Sequence, residues 1–473
     1  MTIWLDVTTT RGWSRPALGV VRVEAETARQ FLAANDPAVR FCRFDLAYRS
    51  YFEVGREELT FALARLDAGG ERPAAPAAVA PPVAVVAAPT PAQRWKRRAL
   101  GAVSWLPQPV HGPLLKFGAA RKDGLRGALQ SLREARRAAP LLLRGSPPAP
   151  IEAAPAPLVK PDILFGQGDV VVSLGLDWDQ KDLPYLRELK ERLGLKVLLM
   201  CYDIIPIRLP HLCVPDVAAK FSGYFLDVAA CADQILCISE YSRCDLRKYL
   251  EAEGVPVPAL GLVPLGCEIA VAADAAPSAP VAEVLGQRFI LFVSTIERRK
   301  NHETLYRAYT RMIDAGVTDL PLLVFVGMAG WGMSDLMADL RLDPRIRPYL
   351  RMLQHVSDAE LACLYQQTLF TVYPSLYEGW GLPVAESLAY GKFCLASNAA
   401  SIPEVAGDLV DYVDPWDVPR WAERLRWYIE HPQEVARREE AIRAGYRCTT
   451  WQETGAVIVA AAAALQREQA TAD

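Results

Sequence analysis

The stretch YPSLYEGWGLPVAESLAYGKFCLASNAASIPEVAG, residues 373–407, sets two carboxylates, Glu378 and Glu386, eight positions apart among glycines and one proline. A strand ending near Tyr373 runs into a Gly-rich loop. Pro383 suits the first turn of the helix that follows, because the N–H it lacks is one a helix start leaves unpaired anyway. Glu378 then lies in the loop and Glu386 in the first turns of the helix, both at the crevice beyond a strand's carboxyl end. Gly379 and Gly381 let backbone approach a ligand closely, and the helix start offers free N–H groups to an anion. Ionised carboxylates there suit a hydroxyl-rich ligand, since each accepts several O–H bonds. A second stretch, FVSTIERRKNHETLYRAY at 292–309, runs from a strand into Glu297, Arg298, Arg299 and Lys300, with Asn301 expected to cap the next helix. Cations in such a loop can neutralise a diphosphate as a bond to it stretches. A third, VGMAGWGMSDLM at 326–337, is a Gly-rich loop from Gly327 to Gly332 after a strand, a place that accepts a base or ribose. It is no G-x-G-x-x-G fingerprint, so a dinucleotide site is not supported.

These groups need elements to hold them. Short apolar runs at 2–7, 39–44, 169–174, 195–201, 234–239, 289–294, 321–327, 369–373 and 392–397 read as strands, with helix-length stretches such as 19–34 and 180–193 between them. Near-continuous apolar strands alternating with helices imply parallel sheets covered on both faces. The Ala/Pro-rich run 271–283 lacks periodicity and reads as an interdomain hinge. Two doubly wound α/β domains then flank a cleft, with ligands outside the carboxyl ends of the strands.

The length, 473 residues, fits two such domains plus extra material. The formal charge of −3 carries no whole-chain nucleic-acid signature, but it is unevenly spread. Residues 71–160 hold 15 of the 36 prolines, and within 94–144 twelve Lys/Arg stand against two Asp/Glu, a local +10. An insert over about 66–160 therefore interrupts the first domain. Its Ala/Pro tracts cannot bury a core. Its centre interleaves arginines with Trp95, Trp105, Leu114, Leu115 and Phe117. That pattern suits the surface of an anionic bilayer through residues 94–137, and equally a solvated linker with one amphipathic helix. The ten cysteines include no C-x-x-C pair, so a zinc or disulfide framework is not indicated and a reduced cytosol is the simpler setting. Asp6 interrupts the N-terminal stretch, so no signal peptide is expected, and no apolar run approaches the roughly 20 residues of a membrane span.

The spacing of Glu378 and Glu386 inside EGWGLPVAES, continued by ASN and SIPEVAGD, resembles the retaining glycosyltransferases of the GT-B fold, family 4, over about residues 285–430. The variants EGWGLPVAES and YDIIPI look most like bacterial polysaccharide-assembly enzymes, often mannosyltransferases using GDP-mannose. The resemblance implies that Glu378 contacts the transferred sugar and nearby phosphate and that Glu386 holds the ribose. ERRKN resembles the family's E-P-R-K-N segment, which implies phosphate contacts for Arg299 and Lys300; Arg298 stands where proline is usual. Some relatives carry a further arginine in the turn held here by Ser294 and Thr295. Gly379, Gly381, Leu382 and Gly327 complete the implied donor site, together with Gly19 and Arg22 at the start of the first helix. YDIIP resembles the family's H-D-x-x-P segment at the sugar end of the cleft, with Tyr202 in place of histidine and Asp203 orienting the loop. CISEYSRCDLRKYL at 237–250 would shape the cleft wall.

The expected organisation is a GT-B pair of Rossmann-like domains. Residues 1–272, with the 66–160 insert, form the acceptor side; 284–447 bind the nucleotide sugar; 448–473 form a last helix packing back on the first domain. The implied partners are a nucleotide sugar, with GDP-mannose favoured, and a glycan or lipid-linked glycan acceptor. No nucleic acid, cofactor or metal is expected in a cytoplasmic enzyme that meets the inner membrane peripherally. Asp177–Trp178–Asp179 mimics the D-x-D metal motif of another glycosyltransferase fold, a three-residue pattern that recurs by chance, and the five histidines are dispersed. A catalytically degenerate GT-B scaffold or sugar-binding protein is the alternative.

Overall fold

The computed structural model describes residues 1–13, 19–67, 163–214, 217–269, 276–330 and 332–472, with side chains through 468. The basic stretch 94–137, nearly all of the insert and the first part of the expected hinge lie outside the described residues.

Among the described residues the chain forms two sheets. The first contains β1 (Ile3–Asp6), β2 (Val39–Asp45), β3 (Ser50–Val54), β4 (Val170–Ser173), β5 (Lys196–Cys201), β6 (Gln234–Cys237) and β7 (Ala259–Leu262) in the order β3-β2-β1-β4-β5-β6-β7. All neighbours are parallel except β2 and β3, which form an antiparallel pair with Phe41 opposite Val54 and Asp45 opposite Ser50. The second contains β8 (Phe289–Val293), β9 (Leu322–Val326), β10 (Leu350–Leu353), β11 (Thr371–Tyr373), β12 (Cys394–Ser397) and β13 (Asp411–Val413), all parallel, in the order β10-β9-β8-β11-β12-β13. This is the two-domain GT-B arrangement. In each sheet the order reverses beside its first strand, between β1 and β4 and between β8 and β11, and loops diverging there open a crevice.

All nine strands read from apolar runs are present. The four that such runs do not reveal, β3, β7, β10 and β13, are the four sheet edges. Central strands such as β4 (VVVS) and β9 (LLVFV) are buried at every position, whereas β7 and β13 keep several positions open to solvent. An edge strand covered on fewer sides needs no continuous apolar run, so its sequence carries a weaker signal.

Two helix boundaries differ from expectation. The expected helix over 180–193 is a short turn, Asp177–Gln180, and a separate helix, Leu183–Leu193, whose Asp182 caps it by accepting the Tyr185 N–H at 2.9 Å. The expected hinge over 271–283 is corrected in its second part: Ala279–Leu285 is a helix with Pro280 in its first turn and Val281 and Val284 buried beside Phe289 and Leu364. The apolar i, i+3 pair supplies the face that the Ala/Pro composition hides. The helix Arg56–Asp67 runs into the start of the expected insert.

The final helix, Trp451–Ala472, crosses back to the first sheet. Trp451, Ile458, Ala462 and Leu465 join one apolar core with Val23, Phe31, Val172 and Leu198. Its backbone comes so close to the helix Val20–Ala34 that a Cβ on Gly455 would lie 2.7 Å from Cγ of Gln30.

Candidate active site

The second sheet's switch point organises the cationic loop. After β8, residues Arg298–Lys300 make one 3-10 turn that Asn301 ends with a left-handed φ of 60°. Asn301 takes the expected cap position, but its side chain does not bond a helix N–H. Its amide donates to the carbonyls of Pro374 (3.0 Å) and Pro415 (2.8 Å), and its oxygen accepts the Thr304 hydroxyl (2.9 Å). One buried side chain thus ties the loop after β8 to the loops after β11 and β13. The Arg299 carbonyl extends this seam by accepting the Leu376 N–H at 2.8 Å and the Ser375 hydroxyl at 3.1 Å.

Arg299, Lys300 and Glu378 meet as a result. Arg299 donates to Oε2 of Glu378 at 2.6 Å and to the Tyr377 carbonyl at 2.8 Å, while its other nitrogen reaches Glu297 at 2.8 Å. Lys300 donates to Oε1 of Glu378 at 2.6 Å, and that oxygen also accepts the Ser375 hydroxyl (2.5 Å) and the Tyr373 hydroxyl (3.1 Å). Glu378 is only 6% exposed. Burial by itself would raise its pKa, but Arg299, then Lys300 and Ser375, outweigh that cost and hold it at about 2. For Lys300 burial and repulsion from Arg299 win, and its pKa is lowered. Two carboxylates, Glu297 and Glu378, balance the two cations in formal charge, and Arg299 and Lys300 are the groups at the ends of β8 and β11 that suit a phosphate-bearing ligand.

Glu386 sits on the helix Leu382–Ala389, which begins at Gly381 with φ 110° and has Pro383 in its first turn. Its carboxylate accepts the Tyr365 hydroxyl at 2.9 Å. Burial raises its pKa, with Tyr365 and Arg22 opposing the rise. Gly327, at the end of β9, has no room for a side chain: a Cβ would lie 2.0 Å from the Ser294 carbonyl oxygen. Gly19 starts the helix Val20–Ala34 with a positive φ of 53°. Arg22 does not reach the Arg299–Lys300 loop. It donates to the Glu268 carbonyl at 2.9 Å, lies 5.5 Å from the Trp451 ring centre and stands 3.9 Å from Asp358 in the other domain.

The first domain meets this loop at Tyr202 and Asp203. The Tyr202 phenol donates to the Leu174 carbonyl at 2.5 Å, so its proton is held within its own domain and its oxygen is left to accept. Asp203 accepts the Ile205 N–H at 3.0 Å, which orients the loop, and burial raises its pKa against the pull of Arg299. On the side where a Cβ would point, Gly379 faces the Tyr202 carbonyl, 2.4 Å from where that Cβ would be. Leu382 and Trp380 pack against the first domain's apolar core. Asp177 and Asp179 part company, the first buried on Lys181 at 2.8 Å and the second paired at the surface with Lys220.

The family model described as glycosyl transferases group 1 matches residues 278–447. The matched residues are those of the second domain, which is similar to the glycosyl transferases of group 1. The chain is 31% identical over 195 residues to O-antigen chain mannosyltransferase B of Escherichia coli, covering 40% of this chain and 49% of the relative. It is 24% identical over 307 residues to the serotype-specific mannosyltransferase WbdA of the same organism, covering 62% of this chain and 37% of the relative. The chain thus spans half or less of the length of these curated relatives. Among solved structures, α,α-trehalose 6-phosphate synthase from Burkholderia multivorans aligns with a TM-score of 0.46 at 16% identity, covering 65% of this chain and 73% of that one.

Sequence reasoning missed the groups that hold the second domain's loop in place. Ser375, Ser401 and Tyr365 are single hydroxyls whose partners are settled only by packing; Ser401, for example, donates to the carbonyls of Glu378 (2.9 Å) and Trp380 (3.0 Å). A buried cluster in the first domain was also missed. Lys181 pairs with Asp6 at 3.0 Å and Asp177 at 2.8 Å, and Glu24 accepts the Thr10 N–H at 2.6 Å while its other oxygen has no hydrogen-bond partner. Burial raises Glu24 to about 7, with Lys181 opposing.

Proposed function

We propose that the chain is a retaining hexosyltransferase that moves mannose from GDP-mannose to a growing or lipid-linked glycan without a metal. The observation that carries this reading is the buried Glu378–Arg299–Lys300 cluster at the switch point of a group 1 transferase domain. The names of the mannosyltransferase relatives support the choice of sugar. In this reading Glu386 holds the ribose, and Arg299 and Lys300 shift from Glu378 toward the diphosphate as negative charge develops on it. The leaving phosphate takes the acceptor's proton on the same face, so no side chain has to form a covalent intermediate. Domain closure excludes water that would otherwise hydrolyse the donor. A lipid-linked acceptor would be met at the membrane by residues 94–137; unchanged liposome binding after deletion of residues 71–160 would overturn that part.

The test is a panel of nucleotide sugars with a lipid acceptor extract, following release of nucleoside diphosphate with and without EDTA. Turnover with GDP-mannose that survives EDTA is the expected result. Loss of turnover with EDTA would overturn the metal-free route, and no turnover with any donor would favour a sugar-binding scaffold.

A further inference from the structure

We propose that Glu404 and Asp245 are positioning residues that fix the Glu378 loop against the first domain when the two domains close. The proposal rests on the reading of Glu378 as the donor-contacting carboxylate. Glu404 belongs to SIPEVAGD, a stretch to which the sequence assigns no role. Its carboxylate crosses to the first domain and accepts the N–H groups of Glu240 (2.7 Å) and Tyr241 (2.8 Å), the first two of the helix Glu240–Ala252.

A helix start leaves four N–H groups without an intrahelical partner, here those of the cap residue Ser239 and of Glu240, Tyr241 and Ser242. The Ser239 hydroxyl accepts the Ser242 N–H at 2.9 Å, and the first intrahelical bond runs from the Arg243 N–H to the Ser239 carbonyl at 3.0 Å. Two of the four are therefore met by the other domain, and the partial positive charge there favours a carboxylate. The same helix face reaches the catalytic loop. Ser242 donates to the Gly379 carbonyl at 3.2 Å, Asp245 accepts the Tyr377 hydroxyl, and the rings of Tyr241 and Tyr377 meet edge-on at 5.6 Å. Tyr377 adjoins Glu378, and its carbonyl takes Arg299. Ser401, three residues before Glu404, holds the Glu378 and Trp380 carbonyls. Docking Glu404 on the helix thus carries Ser401 and the whole 377–380 loop with it. A displacement of about 1 Å at such a loop is enough to cost on the order of a hundredfold in rate.

The test compares wild type with Glu404→Ala, Glu404→Gln and Asp245→Asn. Three quantities are read: amide exchange at Glu240 and Tyr241, affinity for GDP, and kcat with KM for donor and acceptor. The expected result is faster exchange at both amides in Glu404→Ala and partial recovery in Glu404→Gln. Each variant should lose at least about tenfold in kcat and keep its GDP affinity within about twofold. Unchanged amide exchange in Glu404→Ala, or GDP affinity that falls in step with kcat, would overturn the proposal. Should wild type transfer from no nucleotide sugar, the functional reading fails, while amide exchange still decides whether Glu404 docks on the helix.

Discussion

The carbonyl oxygen of Tyr202 stands where a side chain at position 379 would have to go, 2.4 Å from the Cβ that Gly379 lacks. The obstacle is backbone and cannot rotate away, so Gly379→Ala must push the Glu378 loop off the first domain. Each domain keeps its own core, so the expected result is a melting temperature close to wild type with at least about tenfold loss of kcat. Small-angle scattering should show a more open particle. Activity within twofold of wild type would show that the contact is not needed.

Glu378 joins Arg299 and Lys300, and removing it leaves two cations facing each other. Breaking a buried pair by deleting one partner costs about 3 kcal/mol or more. Glu378→Gln should therefore lower both stability and activity. Its pH signature is distinct: the folded pKa, about 2, lies below the ordinary 4.5, so the folded state binds fewer protons between those values. The stabilisation is complete above pH 4.5 and is lost as pH falls toward 2. Urea midpoints measured at about pH 5 and pH 3 should converge between wild type and variant at the lower value.

Glu24 behaves in the opposite sense. Its folded pKa of about 7 exceeds the ordinary 4.5, so in that window the folded state holds a proton the unfolded chain has released. Stability from this group is full below 4.5 and declines as pH rises through 7. Glu24→Gln removes the titration, and its urea midpoint should fall less than that of wild type between about pH 5 and pH 8. Parallel pH profiles would show that Glu24 is ionised throughout.

Tyr202→Phe separates a structural phenol from a substrate contact. The hydroxyl donates to Leu174. Its loss leaves a carbonyl unpaired and should cost about 1 kcal/mol of stability. Acceptor KM should stay within twofold of wild type. A several-fold rise in acceptor KM would return Tyr202 to the sugar side.

The legibility of the fold follows burial. Central strands such as β8 and β9 are apolar at nearly every position because helices cover both faces, and their sequences announce them. The edges β3, β7, β10 and β13 do not, because their side chains answer to neighbours and solvent together. The helix Ala279–Leu285 hid for a related reason: Val281 and Val284 are its two buried apolar residues, and its first five residues lie in an Ala/Pro run.

What the sequence by itself determined is the local chemistry: carboxylates at 378 and 386, cations at 299 and 300, glycines where backbone turns sharply, and a strand–loop–helix order that brings each to a sheet's carboxyl end. Only the tertiary structure decided who meets whom. It turned the Tyr202 phenol inward, filled the space beside Gly379 with another domain's backbone, sent Arg22 to Glu268 and Trp451, and set Glu404 on a helix start 164 residues away in sequence. Spacing along one element reports which residues share a face. A contact between two domains depends on how two separately folded surfaces fit, and no single stretch of chain carries that pattern.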